Sequence, residues 1–206
     1  MNDSITAQAE ATKAVAGTTG KAIELAGKAG NFWAKVFGEV PQDLVGLLGG
    51  DYLRHARHRN LERLGRETDR ILSSRGITSP KEVSASLAIP LLTAAEDENN
   101  DELRKLWTNL LANAMDPGRP DLLRHKLIDT LKQFNPLDAM ILRELGKIQG
   151  AYHTQVENHL MRILEIDHNS LVVSLEVLED LKCIYYSASV PNIRALGTEL
   201  LRACSA

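Results

Sequence analysis

The side chains best able to do chemistry in this 206-residue sequence are arginines. Arg54, Arg57, Arg59, Arg63, Arg66, Arg70 and Arg75 fall in one stretch, with His55 and His58 among them. A guanidinium presents a planar fork of donors that suits phosphate or carboxylate. Two kinds of partner therefore compete for Arg54, Arg57, Arg59, Arg63 and Arg66. One is an anionic molecule from outside, nucleic acid included. The other is the chain's own acidic run, Glu96, Asp97, Glu98, Asp101 and Glu102. The formal net charge is −3, so no global field pulls the chain toward nucleic acid, and nucleic acid is the less favoured partner.

Asn109, Asn113 and Asp116 form a second constellation, spaced four and three apart on one helical side. Such a cluster can hold a polar ligand or a divalent ion. It can also satisfy the backbone groups of a neighbouring loop or helix end, because buried polar groups need partners. The spacing His55-x-x-His58 can hold a metal, but the flanking arginines repel a cation and two further ligands are missing. No metal and no cofactor is expected. The sequence has no GxSxG elbow, no GxxxxGK[ST] loop and no GxGxxG turn. With no nucleophile–base pair in view, the expectation is a protein that is not an enzyme.

The elements around these residues read as mainly α. Nine aromatics leave the core to Leu, Ile, Val and Ala, a composition that favours helices. Residues 1–44 read as a Gly/Ala-rich amphipathic arm. Within 20–40 the apolar positions recur with helical period, and Lys21, Lys28 and Lys35 line another face. Phe32, Trp33 and Phe37 supply aromatic rings. An interfacial helix needs those parts, so Lys21, Lys28, Phe32, Trp33, Lys35 and Phe37 form a face for membrane contact or for self-association. The competing reading docks the same face on the helical region.

Residues 45–135 read as a helical domain. A long helix runs from about 51 to 74, with Gly76 as its stop. Ser79-Pro80 is expected to open the next helix, and Pro90 to kink or break it. Asp101 starts the helix with the cleanest pattern, Leu103, Leu106, Trp107, Leu110, Leu111 and Ala114. A further helix is expected from about 120 to 134, with His125 on a solvated face. Asn135-Pro136 is the clearest boundary. Beyond it, residues 136–206 read as three short helices, a strand at 183–187, a turn at Val190-Pro191-Asn192 and a closing helix. That order suggests a degenerate winged-helix-like domain with a short β-wing. Its second-helix position, about 170–181, carries Glu176, Glu179 and Asp180 and no cation before Lys182, which argues against DNA reading there.

The run Leu106-Trp-Thr-Asn-Leu-Leu-Ala-Asn-Ala-Met-Asp116 carries a resemblance. It is joined by Gly50-Asp-Tyr-Leu-Arg54, Ile89-Pro-Leu-Leu92, Phe134-Asn-Pro-Leu-Asp138 and Leu178-Glu-Asp-Leu-Lys-Cys-Ile184. Over about residues 45–206 the sequence resembles the bacterial Abi-alpha family, named for abortive infection against phage. The resemblance implies host defence and brings no catalytic residues. The wing is shorter than the resemblance would suggest.

The residues and the resemblance together predict a non-enzymatic phage-defence protein that acts through protein contacts. It would self-associate, meet an unidentified phage or host protein, and touch the inner membrane surface through residues 20–40. The alternative is a nucleic-acid-binding regulator using the Arg-rich helix, 54–75. The beginning of the sequence lacks a basic stretch followed by an apolar run, and Cys183 and Cys204 form no CxxC, so a cytoplasmic protein with two reduced thiols is expected.

Overall fold

The computed structural model describes Phe32, residues 35–37, residues 51–148 and residues 156–206, without the side chains of residues 51–55. Lys21, Lys28, Trp33 and the side chain of Arg54 lie outside the described residues. The described fold is mainly helical with one small antiparallel sheet near the C-terminus. In chain order the helices are α1 (Asp51–Ser74), α2 (Ala85–Ala95), α3 (Asp101–Met115), α4 (His125–Leu131), α5 (Pro136–Ile148), α6 (Val156–Leu164) and α7 (His168–Asp180). The strands β1 (Ile184–Ser187) and β2 (Val190–Ile193) follow, and α8 (Ala195–Ala203) closes the chain.

α3 is the centre of the fold, with Leu103, Trp107, Leu110, Leu111 and Ala114 all buried. Its start is well specified. The Asn100 side chain accepts from the amides of Glu102 and Leu103, and Asp101 and Glu102 place negative charge at the helix N-terminus. α1 packs along α3, burying Leu61, Leu64 and Leu72. It ends at Gly76, whose φ of 71° is the left-handed cap conformation that favours glycine. α5 starts at Pro136 as its first residue, and Asp138 turns back to accept the Asn135 amide at 2.7 Å.

Several expectations are corrected. Residues 80–84 are not helical. They run as an extended strap whose amides bond elsewhere: Lys81 N–H donates to Met115 O at 2.8 Å, and Val83 N–H to Val36 O at 2.7 Å. The helix starts five residues after Pro80 because those bonds hold the strap open. Pro90 does not break α2. It lies inside the helix and leaves the Ser86 carbonyl without its intrahelical donor. His125 Nε2 sits 2.9 Å from that carbonyl and replaces the missing N–H. His125 is exposed, as expected, yet it does backbone work. α4 is only seven residues long, and the segment before it is extended as far as Arg124.

Val190-Pro191-Asn192 is strand, not turn. β1 and β2 pair with Ile184 opposite Ile193 and Ser187 opposite Val190, so the turn is Ala188-Ser189. Both of its residues have positive φ, 49° and 62°. Those are the angles of a two-residue hairpin turn whose usual signal, Asn-Gly, is absent. The alternation of the ladder puts Pro191 at a position that needs no inter-strand donor. Gly197 lets α8 approach β1, since a Cβ there would fall 2.4 Å from the Cys183 carbonyl oxygen.

Candidate functional site

Three groups of side chains could meet a partner: the arginines of α1, the polar cluster of α3 and the outer faces of α7 and the hairpin.

On α1 the arginines separate into two sets. Arg57 lies half-buried and turns toward the acidic loop after α2. Its Nε and Nη2 donate to Asp97 at 2.6 and 3.0 Å, and its Nε is 3.7 Å from Glu96. The Asp97 carboxylate raises the guanidinium pKa still further. Glu96 is buried, and burial pushes its carboxyl above the ordinary range while Arg57 pulls it back down. Asn60 completes this seam by donating to the Glu96 carbonyl at 2.9 Å. The second set, Arg59, Arg63, Arg66 and Arg70, is exposed. Their spacing of four, three and four confines them to about 60° of the helix circumference. That arc lies opposite the buried residues Leu61, Leu64, Thr68 and Leu72. Arg63 has Glu67 3.8 Å away, and among the described residues Arg59, Arg66 and Arg70 form no ion pair.

On α3 the amides reach a helix end. Asn109 Nδ2 donates to the Cys204 carbonyl at 3.0 Å, and Asn113 Nδ2 donates to the Ala203 and Ser205 carbonyls, each at 2.8 Å. These are carbonyls that the last turn of α8 leaves without intrahelical donors. The other side of Asn113 accepts from Arg75 Nη1 at 2.8 Å, and the same nitrogen donates to Asp116 at 3.2 Å. Arg119 Nε stands 3.6 Å from Asp116. The three residues therefore lie together and clasp α8 to α1 and α3.

Beside this clasp is a cleft of about 430 Å³ between α3, α5 and α8, floored by Leu106, Met140 and Leu201. The cations at its rim are already held: Lys105 and Arg143 bond to Glu102 at 2.8 and 3.1 Å. Those two bonds keep the Glu102 carboxyl below its ordinary range.

The described part of the arm lies against α1. Phe32 and Val36 are buried, and Phe37 packs at the edge of the core. Gly65 makes room for the ring: a Cβ there would sit 3.0 Å from Phe32 Cδ1. Lys35 pairs with Asp69 at 2.9 Å across an exposed seam.

Sequence reasoning missed the outer surface of α6, α7 and the hairpin. Ile163, Val173, Tyr185 and Tyr186 are large apolar side chains left exposed. Tyr185 lies under the Arg194 guanidinium, 5.5 Å from ring centroid to carbon. The Tyr186 hydroxyl is pushed above its ordinary pKa by burial, then by Glu157, Glu179 and Glu176 around it. Val173 shares the exposed side of α7 with Glu176 and Asp180, which the period of the helix could have shown. Both cysteines are buried free thiols. Burial pushes Cys183 up to about 11 and Cys204 up to about 12, which keeps them from acting as nucleophiles at neutral pH. Among the described residues no three His, Cys, Asp or Glu side chains gather as a metal site, and no helix is long and apolar enough to cross a membrane.

The model of the family Abortive infection alpha matches residues 56–199. The match takes in α1 from residue 56, everything from α2 to β2 and the first half of α8, and the chain belongs to this family. No curated protein and no solved structure matches it.

Proposed function

We propose that the chain serves abortive-infection phage defence through protein–protein contacts, including contacts with its own copies, rather than through a reaction of its own. The observation that carries this reading is that Val173 on α7 and Tyr186 on β1 stay exposed beside the α7 carboxylates, with Tyr185 exposed on the other face of the strand. Large apolar side chains left exposed among charged groups offer surface for a protein contact. Two polar clusters elsewhere are engaged within the fold: the α3 amides hold α8, and the rim of the cleft is neutralised by its own ion pairs. In this reading residues 136–206 form a winged-helix-like module whose second-helix position meets protein. The protein works in the cytoplasm, with an unidentified phage or host protein as partner; contact of residues 20–40 with the inner membrane would require Phe32 and Val36 to leave their buried places against α1.

The test uses a phage that cells expressing the chain restrict. Replacing Val173, Tyr185 and Tyr186 together by Ser should abolish the restriction and leave the melting temperature near wild type. Full protection by this variant would defeat the contact reading. A second reading, a nucleic-acid-binding regulator, is favoured by the exposed arginines Arg59, Arg66 and Arg70, which form no ion pair among the described residues.

A further inference from the structure

Two outward ridges of this chain complement one another. On α1, Arg59, Arg63, Arg66 and Arg70 point away from the core. On α7, Asn169, Val173, Glu176 and Asp180 are exposed, on the side opposite the buried Leu171, Leu175 and Leu178. Both ridges have the same spacing of four, three and four residues. Each therefore runs for about 16 Å within about 60° of arc. One carries four positive charges. The other carries two negative charges around Val173, which is 59% exposed. Glu179 and Glu157 extend the negative field beside Tyr186.

We propose that copies of this chain associate head to tail, the arginine ridge of α1 on one copy seated against the α7 ridge and Tyr186 on the next. The proposal rests on the self-association in the reading above and names its surfaces. Charge complementarity selects the occupant. An acidic, partly apolar ridge rejects phosphate backbones and accepts a basic helix, and this chain exposes such a helix. The arginine stems can lie along Val173 and the Tyr186 ring while their forks meet Glu176 and Asp180. Where both contacts form between the same two copies the assembly closes as a two-fold dimer; where they do not, each added copy leaves one ridge of each kind open and assembly proceeds to a ring or a filament.

The experiment compares three full-length proteins by light scattering at low and high salt. They are wild type, Arg63→Ala/Arg66→Ala/Arg70→Ala, and Val173→Ser/Glu176→Gln/Asp180→Asn. All six substituted side chains are exposed, so both variants should melt like wild type. Wild type should exceed the 22.7 kDa of one copy and dissociate as salt rises. Each variant alone should stay at 22.7 kDa. Mixed in equal amounts, the two should form a complex of two copies and stop there, because each keeps one working ridge. Wild type that remains at 22.7 kDa at every concentration and salt overturns the proposal together with self-association. Assemblies that both variants leave intact overturn this interface and leave self-association standing. Retention of a short DNA duplex by wild type, lost only in the arginine variant and without any assembly, overturns it in favour of a nucleic-acid surface.

Discussion

Asn113 and Arg57 do similar topological work in different surroundings. Each is a polar side chain on a long helix that ties down a segment far away in sequence: residues 203–205 for Asn113, residues 96–97 for Arg57. Asn113 is 5% exposed and has no water to fall back on. Arg57 stands at the surface, and its main partner Asp97 is exposed. The same hydrogen bonds are therefore worth different amounts. Removing a buried partner leaves donors and acceptors stranded, whereas at the surface solvent replaces what is lost. The contrast teaches that the α3–α8 seam holds the fold together, while the α1–acidic loop seam is adjustable.

The largest expected effect comes from breaking the buried side. Asn113→Leu keeps the volume but strands the buried Ala203 carbonyl and removes an acceptor from the half-buried Arg75, while the Ser205 carbonyl of an exposed residue turns to solvent. Unsatisfied buried groups of this kind cost about 1–3 kcal/mol each. We expect a loss of about 2–4 kcal/mol, read as a fall in Tm of about 5–12 °C by differential scanning calorimetry. A melt within a degree of wild type would show that α8 is held by its apolar contacts alone.

His125 sharpens the comparison, because it is exposed yet serves a backbone carbonyl. His125→Ala removes the only side-chain donor to Ser86 O among the described residues and should cost about 1 kcal/mol. The effect depends on Pro90. In a Pro90→Ala background residue 90 regains its amide and can bond Ser86 O itself. The cost of His125→Ala should then vanish, and the cycle of four proteins should be clearly non-additive. Equal costs in both backgrounds would mean that His125 acts through something other than the Pro90 gap.

These seams also show how far the residues could be read in advance. The helical period placed α3, α7 and α8 well, and Trp107 in the core, because burial imposes the period directly. The engagement of Asn109 and Asn113 with a helix end was one of two readings open in the sequence. Spacing puts them on one side of α3, but nothing local says which helix end lies opposite, 90 residues away. The hairpin turn was misplaced because Ala188-Ser189 carries no turn chemistry while Pro191-Asn192 does, and the pairing of Ile184 with Ile193 decides the matter. The strap at 80–84 has the same origin. Its amides answer to Met115 and Val36, which no window around Pro80 contains. Of the candidate site, the arginines were legible as a group. Their division into an inward Arg57 and an outward ridge follows from where the acidic loop lands.

The smallest expected effect concerns Arg57, and pH is the way to see it. Glu96 is buried, and its folded carboxyl lies above the ordinary value of 4.5, raised by burial and restrained by Arg57. A group with a raised folded pKa holds its proton more tightly in the native state than in the unfolded chain. Stability is then fully present below the unfolded value and falls as pH climbs through the folded one. Arg57→Ala removes the restraint, so the folded value rises and the window of falling stability widens. At pH 4 the variant should melt close to wild type. From about pH 5 upward it should fall progressively below it, because the unfolded carboxyl ionises there and the buried one resists. Glu96→Gln abolishes the titration and should flatten this part of the pH profile. In the Glu96→Gln background Arg57→Ala should lose only its exposed contact with Asp97, a small, salt-sensitive change with no slope against pH. A constant Arg57→Ala deficit from pH 4 to pH 7, unaltered by Glu96→Gln, would mean that Arg57 acts through Asp97 alone and that Glu96 is solvated in the folded protein.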